Sequence, residues 1–256
     1  MNLIKKNEFF LLTEIVKKNF SAKYKDSVLG IFWSVLQPLC MAIIFTVVFS
    51  TLFSRSIEYY PVYLLCGKAM FDFFSASTNL CINAIRGNKS ILLQTSAPKH
   101  IFIIGAVISE FLNFIIDSAL VIAVIFVLGA PFYPQTMPLS IIPVISAFIL
   151  CIGLGLMLSI CEVYYSDTAY LWRVLRQVLF YSCAIFYPME MVPNPYYQYL
   201  ILNPVFWLVN QFRSLFIYGT VPSTLYMANS LLLSTIIFVF GLIVFKKYNP
   251  KIALKF

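Results

Sequence analysis

A helical membrane protein that crosses the bilayer about six times is the fold class the sequence predicts, and three observations carry it. Of the 256 residues, 61% are hydrophobic and only 11% are charged, against about half and about a quarter in an ordinary soluble domain. The mean hydropathy is +0.88, and apolar stretches of the roughly 20 residues a helix needs to cross a hydrocarbon core recur along the chain. The formal net charge of +8 comes from Lys and Arg that flank those stretches instead of gathering on one motif. That distribution reads as membrane topology and not as a nucleic-acid surface, so no nucleic-acid partner is expected.

Residues 9–20 follow a helical period. Phe9, Leu11, Leu12, Ile15, Val16 and Phe20 fall on one broad face, opposite Glu14, Lys17 and Lys18, which predicts an amphipathic helix lying in the membrane surface. Glu8, Glu14, Lys17 and Lys18 follow Met1 too soon for a cleavable signal peptide, so the first span is expected to act as its own insertion signal. That span covers 28–53, and a second covers 61–85. A third runs from 101 to 128, where Gly129-Ala130-Pro131 ends it, and a fourth covers 139–161. The fifth is continuously apolar only from about 174 to 187, short for a crossing unless it begins near Tyr170 or dips and returns. The sixth covers 228–245.

Six crossings put both termini on one side. Placing them in the cytoplasm collects Lys5, Lys6, Lys17, Lys18, Lys23, Lys25, Arg86, Lys89, Lys99, Arg173, Arg176, Lys246, Lys247, Lys251 and Lys255 inside. Arg55 and Arg213 then lie outside and Lys68 within a span, as the positive-inside rule requires. Residues 188–227 form the longest outer segment. Met189, Tyr196, Tyr197, Leu200, Phe206, Trp207, Phe212 and Phe216, broken by Pro188, Pro193, Pro195 and Pro204, make it too apolar for a solvated loop. Short helices that enter and leave the outer leaflet, or an interfacial aromatic belt, are the two readings.

Catalysis finds little support. His100 is the only histidine and sits at a span boundary as a surface residue; no metal-ligand spacing exists, and the six scattered cysteines read as small buried hydrophobes. Gly67-Lys68 lacks the upstream glycine and the following Ser or Thr of a phosphate-binding loop. Charges inside spans are costly. Glu110, Asn113 and Asp117 share one face of the third span, where they serve contacts between helices or a proton relay. Lys68 and Asp72, four apart, neutralise one another or touch substrate. These two clusters leave a proton-coupled secondary transporter as the alternative.

The stretch from Lys23-Tyr24-Lys25-Asp26-Ser27-Val28-Leu29-Gly30 through Phe32-Trp33-Ser34 to Gln37-Pro38 resembles the opening signature of permeases from type-2 ABC exporters, nearest to the O-antigen, capsule and teichoic-acid branch. Phe186-Tyr187-Pro188 with Val192-Pro193, and Leu202-Asn203-Pro204 with Phe212-Arg213, resemble the same family's fifth span and outer re-entrant region. Lys68 and Asp72 depart from its pattern.

The resemblance implies a homodimer in a bacterial cytoplasmic membrane. It implies no cofactor in this chain, since ATP and Mg would be bound by two copies of a cytoplasmic ATPase subunit, and it implies a lipid-linked glycan as cargo. Residues 9–20 become an interface helix. Arg86, Asn88, Lys89, Pro98 and Lys99 become coupling residues, and Pro188, Asn203, Pro204 and Arg213 an outer gate. Phe32, Trp33, Phe45, Phe49, Phe180, Tyr181, Phe186 and Tyr187 are the expected conduit lining, where sugar C–H faces can lie on rings. Lys17, Lys18, Lys23 and Lys25 are placed to meet a lipid pyrophosphate, or serve only as an orientation signal.

Overall fold

A computed structural model describes residues 2–25, 28–53, 57–95, 97–193, 196–250 and 252. Among them the regular structure is entirely helical. The first helix, α1 (Asn2–Tyr24), is followed by α2 (Trp33–Phe53), α3 (Tyr60–Ile82), the short α4 (Lys89–Gln94) and α5 (His100–Leu128). Then come α6 (Ile141–Tyr164), α7 (Thr168–Tyr181), the short α8 (Tyr196–Ile201), α9 (Pro204–Phe216) and α10 (Thr224–Tyr248). Among the described residues, four helical stretches are long and apolar enough to cross a membrane: Gly30–Val48, His100–Leu128, Met137–Tyr164 and Thr224–Tyr248.

The second predicted span, now α3, is the centre of the bundle. Most of its residues are buried, and it packs against α2, α5, α6, α7 and α9. A helix sheathed by protein need not be uniformly apolar, which is how it carries Lys68, Asp72, Ser75 and Asn79. Its first residues sit well: Pro61 occupies the first turn, where a missing N–H costs nothing.

Small residues set the closest approaches. A Cβ on Gly241 of α10 would lie 2.2 Å from the Gly153 carbonyl oxygen of α6, so these backbones touch, as helices in lipid do where glycines meet. Gly153 lies against Gly241 and Tyr164 against Tyr248, so α6 and α10 run in the same direction. On α5, a Cβ at Gly105 would meet the Ile15 side chain at 2.7 Å, which seats α1 against it.

Three boundaries differ from expectation. The amphipathic helix is longer than 9–20, and Phe9, assigned to its apolar face, is 71% exposed whereas Ile15 is buried. From Ile15 to Tyr24 it follows α5 up to Asn113, because Gly105 leaves a groove for it. The fifth stretch ends as a helix at Tyr181 after 14 residues, about 21 Å at 1.5 Å per residue, short of a hydrocarbon core of about 30 Å. The sixth extends to Thr224–Tyr248, with Ser223 Oγ accepting from the Tyr226 N–H at its start. The cysteines are buried at Cys66, Cys81, Cys151 and Cys183, but Cys40 is exposed and Cys161 half-buried. His100 is exposed as expected.

One end of the bundle gathers basic residues. Lys18 donates to Asn88 Oδ1 at 2.9 Å, Arg86 pairs with Glu162 at 2.9 Å, and Lys99 donates to the Asn249 carbonyl at 3.2 Å. Lys246 and Lys247 close α10 beside them. These bonds tie α1, the α3–α5 connection, the end of α6 and the end of α10 together at that one end.

Candidate conduit and charged chamber

Above the end of α7 the chain abandons helical geometry from Ser182 to Pro188. Cys183, Ala184 and Ile185 are buried there, and backbone carbonyls freed in a buried position must find donors. Arg213 of α9 provides them: Nη1 donates to the Ala184 oxygen at 2.8 Å, Nη2 to Ile185 at 2.7 Å and Nε to Tyr63 at 3.3 Å. Tyr63 Oη donates to the Ala184 and Tyr187 oxygens, and Tyr60 Oη to that of Phe186. Arg213 is 2% exposed, and among the described residues no carboxylate pairs with it. Its guanidinium carbon lies 3.7 Å from the Tyr63 ring centroid, so the ring face and carbonyl oxygens carry the compensation. Ala184 takes a left-handed φ of 50°, a conformation that costs an alanine about 1–2 kcal/mol and aims its carbonyl at this clamp. Asn203 completes it: its Oδ1 caps α9 at the Val205 N–H, and its Nδ2 donates to Ser182 Oγ at 2.9 Å and the Leu179 oxygen at 3.2 Å.

Against this break stands an aromatic cluster. Phe186 stacks on Phe45 of α2 at 6.1 Å and contacts Phe180, Tyr181 and Tyr187 edge-on at 5.4 to 5.7 Å between ring centroids. Phe180 in turn meets Phe71 of α3 at 5.0 Å. One turn down α7 from Phe180 lies Arg176, which opens a different environment.

There a cavity of about 440 Å³ opens among α1, α2, α3, α5 and α7. Lys23, Lys68, Asp72, Glu110, Asp117 and Arg176 line it, with Tyr24, Trp33, Gln37, Asn79 and Asn113 between them. Lys68 pairs with Asp72 along α3, the local ion pair foreseen for them. Lys23 reaches Glu110 at 3.4 Å, and Tyr24 Oη donates to Asn113 Oδ1 at 2.8 Å. The contact face foreseen on the third span thus receives the end of α1. Burial pushes the Tyr24 hydroxyl above its ordinary pKa. Arg176 donates to Ser75 Oγ at 2.8 Å and to Asn79 Oδ1 at 3.0 Å.

A family description, "ABC-2 type transporter", matches residues 11–217, from α1 through α9. The chain belongs to that family. An O-antigen export system permease protein from Klebsiella pneumoniae is 26% identical over 247 residues, covering 96% of this chain and 94% of the relative. One of the same description from Myxococcus xanthus is 23% identical over 83% of this chain and 82% of its own length. A polysialic acid transport protein from Escherichia coli is 24% identical over 72% of each.

In this ABC-2 transporter chain the expected site residues sort into groups. Phe45, Phe180, Tyr181, Phe186 and Tyr187 form the aromatic cluster; Trp33 lines the chamber instead, Phe32 is exposed before it, and the Phe49 side chain lies outside the described residues. Asn203 and Arg213 meet in the clamp, Pro188 is buried beside it and Pro204 opens α9; Arg213, placed at the outer face by the span count and the resemblance, is enclosed because the break needs its donors. Of the basic four, Lys17 pairs with Glu14 at 3.1 Å and Lys18 and Lys23 are engaged as above, while Lys25 is exposed. Among the coupling residues, Arg86, Asn88 and Lys99 hold the basic end together, Lys89 starts α4 and Pro98 is half-buried. Sequence reasoning missed Tyr60, Tyr63, Ser75, Asn79 and the chamber role of Arg176. The spacing Lys68, Asp72, Ser75, Asn79 is a polar stripe on one helix face, and it carried the signal.

Proposed function

We propose that this chain is the membrane-spanning subunit of an ATP-driven exporter that moves lipid-linked polysaccharide across the bacterial cytoplasmic membrane. It has no enzymatic activity of its own, crosses the membrane six times with both termini cytoplasmic, and works as a homodimer on two copies of a separate ATPase subunit. α3 and α7 supply the two crossings beyond the four long apolar helices, with α7 continued by the 182–193 segment; α8 and α9 form the outer re-entrant region. The basic end faces the cytoplasm, which supports α1, Arg86, Asn88 and Lys99 as the ATPase contact.

The observation that carries this reading is the alignment of two surfaces along one side. A hydroxyl-rich polymer needs polar partners and ring faces, and the polar chamber and aromatic cluster follow one another along α7, from Arg176 to Phe180 and Phe186. α2 and α7 also leave Ile43, Val47, Leu171 and Val174 exposed, an apolar rim suited to a second subunit. A proton-coupled carrier remains the competing reading, favoured by the charges in the chamber.

The test is deletion of the chain in a cell that makes the glycan, with complementation by wild type or by F180A/F186A. Deletion is expected to leave lipid-linked glycan on the cytoplasmic side, and the double variant to restore less than a tenth of export while still purifying with the ATPase. Normal export without the chain contradicts the proposal.

A further inference from the structure

We infer that the chamber is a selectivity site for a sugar unit that carries an ammonium and an anionic group together. This rests on the polysaccharide reading above and adds to it the charge of the cargo.

The cavity, at about 440 Å³, falls within the roughly 300–1,000 Å³ of small-ligand sites. Its lining holds three bases, Lys23, Lys68 and Arg176, and three acids, Asp72, Glu110 and Asp117, so the two kinds match in number. Two couples are satisfied internally, Lys23 with Glu110 and Lys68 with Asp72. What remains is Asp117 on α5 and Arg176 on α7. Among the described residues Asp117 makes no ion pair or hydrogen bond to any neighbour. Arg176 spends Nη1 and Nη2 on neutral groups, and among the described residues no carboxylate pairs with it.

A carboxyl and a guanidinium without ion-pair partners, on two walls of one cavity, state what fits there. A neutral sugar leaves Asp117 and Arg176 without an ion-pair partner in a site walled by helices, where that is expensive. A pyrophosphate brings an anion for Arg176 but no cation for Asp117, which it leaves unpaired beside added negative charge. An amino sugar that also bears a phosphate or carboxylate answers Asp117 with its ammonium and Arg176 with its anion. Trp33, Phe73 and Phe114 in the same wall offer ring faces to its C–H bonds.

The test uses the complete transporter, permease with ATPase, in phosphatidylcholine nanodiscs. Four probes are titrated by saturation-transfer NMR: glucosamine 6-phosphate, glucosamine, glucose 6-phosphate and glucose. The first is expected to bind most tightly. D117N should erase the advantage conferred by the amine and R176Q that conferred by the phosphate, each about tenfold; R176K, which keeps the charge, should retain part of it if R176Q fails to assemble. Equal binding of all four probes, no binding of any, or a preference that survives both substitutions overturns the inference. So does loss of probe binding when phosphatidylethanolamine replaces phosphatidylcholine, since a lipid headgroup would then be the occupant. Failure of the permease reading shows differently, as the absence of ATPase from the wild-type complex.

Discussion

Arg213 occupies a position that water would ordinarily have to share. Buried among α3, α9 and the break after α7, it replaces lost hydration with two short bonds to Ala184 and Ile185. Hydrogen bonds involving a charged group are worth about 1.5–3 kcal/mol each, so R213M should lower stability by about 3 kcal/mol or more, read as a fall in the thermal midpoint of the purified protein in detergent. G67A should act the same way at full length of the arginine. A methyl there would stand 2.0 Å from Nη2, and a guanidinium already bonded on three sides has nowhere to swing. Unchanged midpoints for both variants would contradict the clamp. Sequence named Arg213 and Asn203 but not their work, because their partners are main-chain carbonyls that no residue type displays. The chamber was half legible for the opposite reason: its acids and bases are visible letters, yet Lys68–Asp72 and Glu110–Asp117 looked like separate clusters until α1 and α7 closed around them.

Among elements, α6 and α10 make the backbone-to-backbone contact that glycine spacing creates. G241L must push the helices apart, since its Cβ alone would enter the Gly153 carbonyl. Overpacking of this kind costs about 1–3 kcal/mol, measurable as an earlier unfolding midpoint in detergent, whereas G87L, at a position with open space around it, should leave the midpoint unchanged. Equal effects of the two would remove the packing argument. The long apolar helices were legible because burial in lipid demands a run of letters, as in 101–128 against His100–Leu128. The shortness of the fifth stretch was legible too, but its cause was not: α7 stops at Tyr181 because Arg213, Tyr60 and Tyr63, distant in sequence, make a non-helical backbone affordable there. α1 outgrew its expected surface position for a similar reason, its seat being the absent side chain of Gly105.

At the scale of the whole molecule the chain is a bundle with a basic end, a buried polar stripe on its central helix and an uncovered side made by α2 and α7. Neither a partner ATPase nor a second subunit can be read from this chain's residues by spacing; membership of the ABC-2 type transporter family implies the first, and the second is proposed from the apolar rim the bundle leaves open. The central claim is that the chain moves polymer only when another subunit hydrolyses ATP. The most direct measurement reconstitutes it in proteoliposomes with and without its ATPase, loads lipid-linked glycan on one leaflet, and follows arrival of the glycan at the other. Transport that requires both the ATPase and ATP, with no flux from an imposed proton gradient, is the expected result. Gradient-driven flux through the chain alone, with no nucleotide present, would contradict the account.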